Sequence, residues 1–222
     1  MEAGRIADGY AGHRSRLVEE LRSRGIEDLA ILRAFGITPR HLFVPEALRR
    51  RAYEDAALPV GRGQTISQPS THATYLLALG LKGGERVLEV GTGTGYQAAL
   101  LSCLAAQVFS VERIASLAER ARRALTQAGA TNVTVLTGDG TLGWRPYAPY
   151  DAILVSAAGP QIPRPLVEQL ADGGRLVMPV QGSRGQELVR LTRMSDTFRE
   201  ESLGAASFVP LIGRHGFEPG AD

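Results

Sequence analysis

The sequence predicts an α/β fold: a doubly wound, mainly parallel sheet with helices on both faces, a helical N-terminal preface and antiparallel C-terminal strands. Three observations carry this expectation. From Arg86 onward short apolar runs alternate with helical patterns, as in chained strand-helix-strand units. Before Arg86 the patterns are helical, interrupted by one polar, glycine-containing stretch. After Arg175 apolar runs succeed one another with no helical pattern of their own, so the far edge needs no crossover helix. The 222 residues, 44% hydrophobic and 22% charged, can bury an ordinary core, which excludes a disordered, fibrous or repeat protein.

In order along the chain, residues 10–24 place Leu17, Val18 and Leu21 at helical spacing among charges, and Gly25 stops that helix. A second helix is predicted over 27–35. Pro39 and Pro45 bracket 40–44, and 46–51 supply one more turn. Residues 61–69, Gly-Arg-Gly-Gln-Thr-Ile-Ser-Gln-Pro, read as an irregular loop. The division expected is therefore an extension over 1–60 packing on a main domain over 61–222. In that domain a helix over 70–81 precedes strand 86–90, helix 96–106, strand 107–112, helix 114–128 and strand 132–136. Strand 150–155, helix 163–170 and strand 175–180 follow, and 187–194 and the apolar 208–212 are predicted as the closing strands.

Charge and cysteine usage limit the partners. With 25 basic and 23 acidic residues the formal charge is +2, too small a bias for a nucleic-acid or anionic-lipid surface. Arg49, Arg50 and Arg51 read as a solvated helix face. The single cysteine, Cys103, forbids an intrachain disulfide, fits a reducing compartment and is expected inside an apolar helix as core. Residues 1–16 show no secretory pattern, and the most apolar stretch, 98–106, is too short to span a bilayer. A cytoplasmic monomer is expected. His13, His41, His72 and His215 are scattered, no paired-cysteine or His-Glu-x-x-His pattern occurs, and no metal is expected.

The strongest local signal is Val87-Leu-Glu-Val-Gly-Thr-Gly-Thr-Gly95, a strand running into a glycine loop at the carboxyl end of a parallel sheet, where open sheets bind ligands. Glu112 ends the second strand, 21 residues after Gly91, a spacing that suits a carboxylate on ribose hydroxyls. A dinucleotide is one candidate ligand, but its fingerprint wants a small residue at the sixth position, where Tyr96 stands. Glu89, two residues before the first glycine, repels phosphates and suits a cationic amino-acid cofactor.

The run Glu-x-Gly-x-Gly-x-Gly over Glu89, Gly91, Gly93 and Gly95 resembles the first motif of class I S-adenosylmethionine methyltransferases, whose fold is Rossmann-like. In that family the glycine loop, with Thr92 here, holds the methionine end, the acid matching Glu112 binds ribose, and an Asp after the third strand lies near adenine. Asp139-Gly140 stands at that place. The chain lacks the aromatic Pro-Pro cluster with which DNA amino-methyltransferases grip a flipped base, having Ser156-Ala-Ala-Gly-Pro160 instead.

A longer match identifies the acceptor class. Residues 52–69, from Ala-Tyr-Glu-Asp to Thr65-Ile66-Ser67-Gln68-Pro69, closely resemble the segment preceding the sheet in protein-L-isoaspartate O-methyltransferases. The similarity continues through 87–99, 108–114, 138–144 and 170–179 and covers nearly all of 30–213. The resemblance implies S-adenosylmethionine as cofactor, held in part by Thr65, Ile66 and His72, and isoaspartyl proteins and peptides as substrate. It implies an active-site role for Ser67, cast as a hydrogen-bond donor, and contact of Val209, Pro210 and Leu211 with the substrate backbone. Ser70-Thr71-His72 departs from the aromatic that bacterial members commonly carry first, while animal-type members have a histidine matching His72. Two other readings stand beside this one: methylation of another carboxylate or small molecule, and a catalytically dead binding protein.

Overall fold

The computed structural model describes residues 9–218 and 220. The preface contains α1 (Ala11–Ser23), α2 (Leu29–Ile37) and two 3-10 turns, Arg40–Phe43 and Glu46–Arg51. Asp28 caps α2, its carboxylate accepting from the N–H groups of Ala30 and Ile31 at 2.9 and 3.1 Å. Next come β1 (Leu58–Gly61), β2 (Gln64–Ile66) and α3 (Pro69–Leu79). The alternating part holds β3 (Arg86–Val90), α4 (Tyr96–Ser102), β4 (Gln107–Glu112), α5 (Ala115–Gln127), β5 (Val133–Thr137), β6 (Tyr150–Val155), α6 (Arg164–Val167), β7 (Leu170–Gly182), β8 (Gly185–Met194) and β9 (Thr197–Ala206).

The main sheet has the order β5-β4-β3-β6-β7-β8-β9. Its first five strands are parallel, and β8 and β9 are antiparallel additions. Strands β3, β4 and β6 are buried nearly throughout, as expected of parallel strands covered on both faces. One core cluster joins Leu17, Leu21, Ile31, Phe35 and Phe43 of the preface to Tyr75, Leu76, Tyr96 and Leu100 of α3 and α4. The preface therefore shares the main core. On the other face a second cluster packs Leu88, Phe109, Ile153 and Leu166.

The structure corrects five local expectations. The loop 61–69 contains half of a hairpin: β1 and β2 pair antiparallel around Arg62 and Gly63, both at positive φ (58° and 67°), the signature of a primed two-residue turn. Helix α4 ends at Ser102, so Cys103 is an exposed C-cap residue and not core. The helix expected over 163–170 is only α6, because Leu170 already pairs with Tyr150 and begins β7. The closing strand is β9, not 208–212. That last segment makes single bridges, from Pro210 to Ala158 and from Ile212 to Phe217, consistent with a proline that cannot donate to a ladder. Among the described residues no helix is long and apolar enough to cross a membrane.

Candidate active site

Strand β3 sends the chain to β4 on one side, while β6 pairs with β3 on the other, so the sheet order reverses between β3 and β6. Ligands of open α/β sheets bind outside the carboxyl ends of the strands at such a point. A cleft of about 850 Å³, counting the part open to solvent, lies there. Its walls come from three places: the glycine loop with the end of β4, the β2-α3 loop, and the segment after β9.

The glycine loop is closed onto the protein. Gly91 and Thr92 N–H point at the Val111 carbonyl (2.9 and 3.4 Å), Gly93 N–H donates to Glu112 Oε2 at 2.9 Å, and Gly95 N–H donates to Thr92 O at 2.8 Å. A dinucleotide loop needs such donors for its pyrophosphate. With these engaged, the dinucleotide alternative loses its anion cradle. Glu112, 6% exposed, also accepts from Ile114 N–H at 2.9 Å, which pins the carboxylate on the cleft wall.

Beneath the loop a polar chain runs inward. Thr92 Oγ1 lies 2.5 Å from Ser110 Oγ, which donates to Glu89 Oε2 at 2.5 Å. Glu89 is fully buried, and its Oε1 has no hydrogen-bond partner among the described residues. Burial pushes its carboxyl up to about 8, opposed by the Ser110 hydrogen bond and reinforced by the charge of Glu112. A cation above the loop would favour the ionised form of this buried acid, whereas a phosphate there would oppose it.

Thr65, Ile66 and Ser67 of the β2-α3 loop line the facing wall with His72 of α3 and Gln97 of α4. His72 Nδ1 and Gln97 Oε1 are in hydrogen-bond contact. Burial, helped by the charge of Arg40, pushes His72 down to about 3, so its ring is neutral at ordinary pH. The third wall is Val209, Pro210 and Leu211, stitched to the loop after β6 by Ala158 N–H to Val209 O (2.9 Å) and Leu211 N–H to Ala158 O (2.7 Å).

Of the residues singled out from sequence, Thr65, Ile66, Ser67, His72, Gly91, Thr92, Gly93, Glu112, Gly140, Val209, Pro210 and Leu211 line this one cleft. Glu89, Gly95 and Asp139 do not. Gly95 serves packing: a Cβ there would meet Ala121 Cβ at 3.2 Å and Leu125 Cγ at 3.3 Å of α5. Asp139 turns its carboxylate to Thr141 N–H (2.9 Å), Thr141 Oγ1 (2.7 Å) and Arg214 N–H (2.8 Å), tying the 3-10 turn Gly140–Leu142 to the C-terminal segment. Burial alone raises this acid, but those hydrogen bonds outweigh it and hold it below its usual value. Gly140 allows that turn to approach β3, since a Cβ would lie 2.5 Å from Val90 Cγ1. Among the lining residues that sequence reading missed are Gln97, Arg113, Ser156 and Ala157. Ser156 and Ala157 directly follow β6, and position at the end of a parallel strand beside the switch point was signal enough to find them.

The sequence profile of the protein-L-isoaspartate (D-aspartate) O-methyltransferase family matches residues 12–216. The chain belongs to this family. It is 54% identical over 216 residues to the protein-L-isoaspartate O-methyltransferase of Syntrophus aciditrophicus, covering 96% of this chain and 99% of that one. The namesake from Methanoculleus marisnigri is 52% identical, with 96% and 97% covered. A solved protein-L-isoaspartate O-methyltransferase superposes with a TM-score of 0.83 at 32% identity, covering 91% of this chain and 67% of that one. A Plasmodium falciparum structure of this type, in complex with S-adenosyl-L-homocysteine, gives a TM-score of 0.80 at 25% identity, covering 90% and 98%.

For a protein-L-isoaspartate O-methyltransferase the site must admit S-adenosylmethionine, and the residues fit. Glu112 offers remaining lone pairs to a ribose diol, Glu89 leaves an oxygen unanswered beneath the loop, and a Cβ on Gly93 would meet nothing within 4 Å. Among the described residues no cluster of His, Cys, Asp or Glu is arranged to hold a metal ion.

Proposed function

We propose that this cleft binds S-adenosylmethionine and directs its methyl group to the α-carboxylate of L-isoaspartyl residues in damaged proteins and peptides. The observation carrying this reading is the meeting, in one cleft, of the Glu112-locked glycine loop with Thr65-Ile66-Ser67 and Val209-Pro210-Leu211. When bound, the cofactor supplies an activated methyl group on a sulfonium. The roles assigned are Glu112 on the ribose, the backbone of Gly91, Thr92 and Gly93 with Thr65, Ile66 and His72 around the methionine portion, and Gly140 beside the base. Glu89 lies beneath the loop with one oxygen unanswered, where a bound cation favours its ionised form, while Gly95 and Asp139 shape the site without touching the ligand.

The acceptor explains the sparse catalytic inventory. A carboxylate is ionised at neutral pH, so no general base has to remove a proton. What the chain must supply is orientation and dryness, effects capable of roughly 7–11 kcal/mol in favourable cases. Ser67 is assigned as a hydrogen-bond donor that orients the acceptor carboxylate, and Val209 to Leu211 hold the neighbouring peptide backbone. The ester product closes to a succinimide as its alcohol leaves, and hydrolysis reopens it partly to normal aspartate, which makes the reaction a repair cycle. The charge of +2 speaks against a nucleic-acid or anionic-membrane partner, and the single cysteine fits the reducing cytoplasm.

The test is methyl transfer from methyl-labelled S-adenosylmethionine to an isoaspartyl peptide. The result expected is a base-labile ester that releases labelled methanol, one methyl per isoaspartyl site. Label that is absent, or that survives base, contradicts carboxyl methylation.

A further inference from the structure

Arg40 is the largest fully buried side chain among the described residues, 0% exposed, and it belongs to the preface rather than to the cleft. Its Nε donates to Ala52 O at 2.6 Å and its Nη2 donates to Ser67 O at 2.9 Å. The guanidinium lies over the ring of Tyr96, 4.6 Å from its centroid, and Tyr96 is the first residue of α4, directly after the glycine loop. One side chain thus touches both the Ser67 loop and the helix that follows the glycine loop. Asp55, also from the segment before the hairpin, accepts Ser70 N–H at 2.8 Å and pairs with Arg24 at 3.2 Å. The stretch from Ser67 to Ser70 is therefore held at both ends by preface side chains.

A buried cation is costly, and apolar residues would fill the same volume more cheaply, so burial alone does not account for arginine here. The planar fork does: it spans two carbonyls at fixed separation and stacks on an aromatic face, which the point charge of lysine cannot reproduce. We propose that Arg40 is a positioning residue of the reaction, clamping the Ser67 backbone against the preface and against Tyr96 so that the acceptor wall keeps its place relative to the glycine loop. The inference rests on the assignment of Ser67 to the acceptor wall made above. Its consequence is that the preface sets turnover through Ser67 without contributing a group to the reacting atoms.

The test uses the full chain and Arg40→Lys, which retains charge and most of the volume but loses the fork. For the isoaspartyl peptide kcat is expected to fall about 10- to 100-fold with KM within about threefold, as for an interaction felt in the transition state. Amide hydrogen exchange at 65–68 is expected to accelerate at least about tenfold, with 87–90 unchanged. Native exchange at 65–68, or native kcat, overturns the proposal, as does a loss confined to KM. If Arg40→Lys does not fold, wild-type NMR decides: a clamped guanidinium gives resolved, slowly exchanging Nε–H and Nη–H signals. One averaged signal exchanging like free arginine overturns the clamp. Exchange and NMR need no methyl transfer, so a wild-type enzyme inactive on isoaspartate refutes the function while these arms still judge Arg40.

Discussion

At Glu112 both carboxylate oxygens already accept backbone N–H groups, so the residue shapes the loop as well as offering lone pairs to a ligand. Glu112→Ala is expected to cost about 1.5–3 kcal/mol of S-adenosylmethionine binding, one to two decades in Kd by calorimetry. Glu112→Gln, which retains one acceptor oxygen, is expected to lose less; native affinity in both variants would remove Glu112 from the site. Glu89 makes a different prediction. Its carboxyl is raised from 4.5 to about 8, so the folded state holds the proton more tightly than the unfolded chain. Its stabilising contribution is full below about pH 4.5, declines as pH rises and is gone above about 8. In ligand-free protein Glu89→Gln is expected to flatten this decline, worth of order a few kcal/mol, in urea midpoints measured across that range; parallel pH profiles contradict the assignment. Both acids were legible in the sequence because strand-end position and glycine spacing place them. Arg40 was not: nothing in a linear pattern marks an arginine in a helical preface as the partner of a carbonyl 27 residues on.

Among the elements, α4 and α5 are brought together at Gly95, whose φ is +91° and whose absent side chain leaves room for Ala121 and Leu125. Gly95→Ala is expected to destabilise the fold by about 1–3 kcal/mol through backbone strain and crowding, while the folded fraction keeps native cofactor affinity. Weakened affinity with unchanged stability places Gly95 on the ligand instead. The alternating strands β3, β4 and β6 were legible because they are buried on both faces and read as continuous apolar runs. Strand β9 was not, since its residues are mostly exposed and it pairs only with β8, which removes the alternation that marks a half-buried strand. The reverse held for 208–212, whose apolar residues belong to a cleft wall and a core edge rather than to a ladder. The hairpin β1-β2 escaped notice because its strands are four and three residues long and its turn uses Arg62 at positive φ, where asparagine or glycine is usual.

For the molecule as a whole, the β2-α3 loop, the sheet and the C-terminal segment each supply one part of a single cleft, and the preface behind that loop shares the main hydrophobic core. That arrangement makes selectivity geometric. Isoaspartate carries its free carboxylate on Cα, whereas aspartate carries it one methylene further out. A displacement on the ~1 Å scale can cost about 100-fold in rate. Ser67→Ala is accordingly expected to retain cofactor affinity and lose turnover, and full activity in that variant removes Ser67 from the mechanism. The most direct test of the central claim is initial methylation rate on two peptides identical except for isoaspartate or aspartate at one position. The account expects esterification of the isoaspartyl peptide with its aspartyl twin almost untouched; equal rates on the two would contradict it.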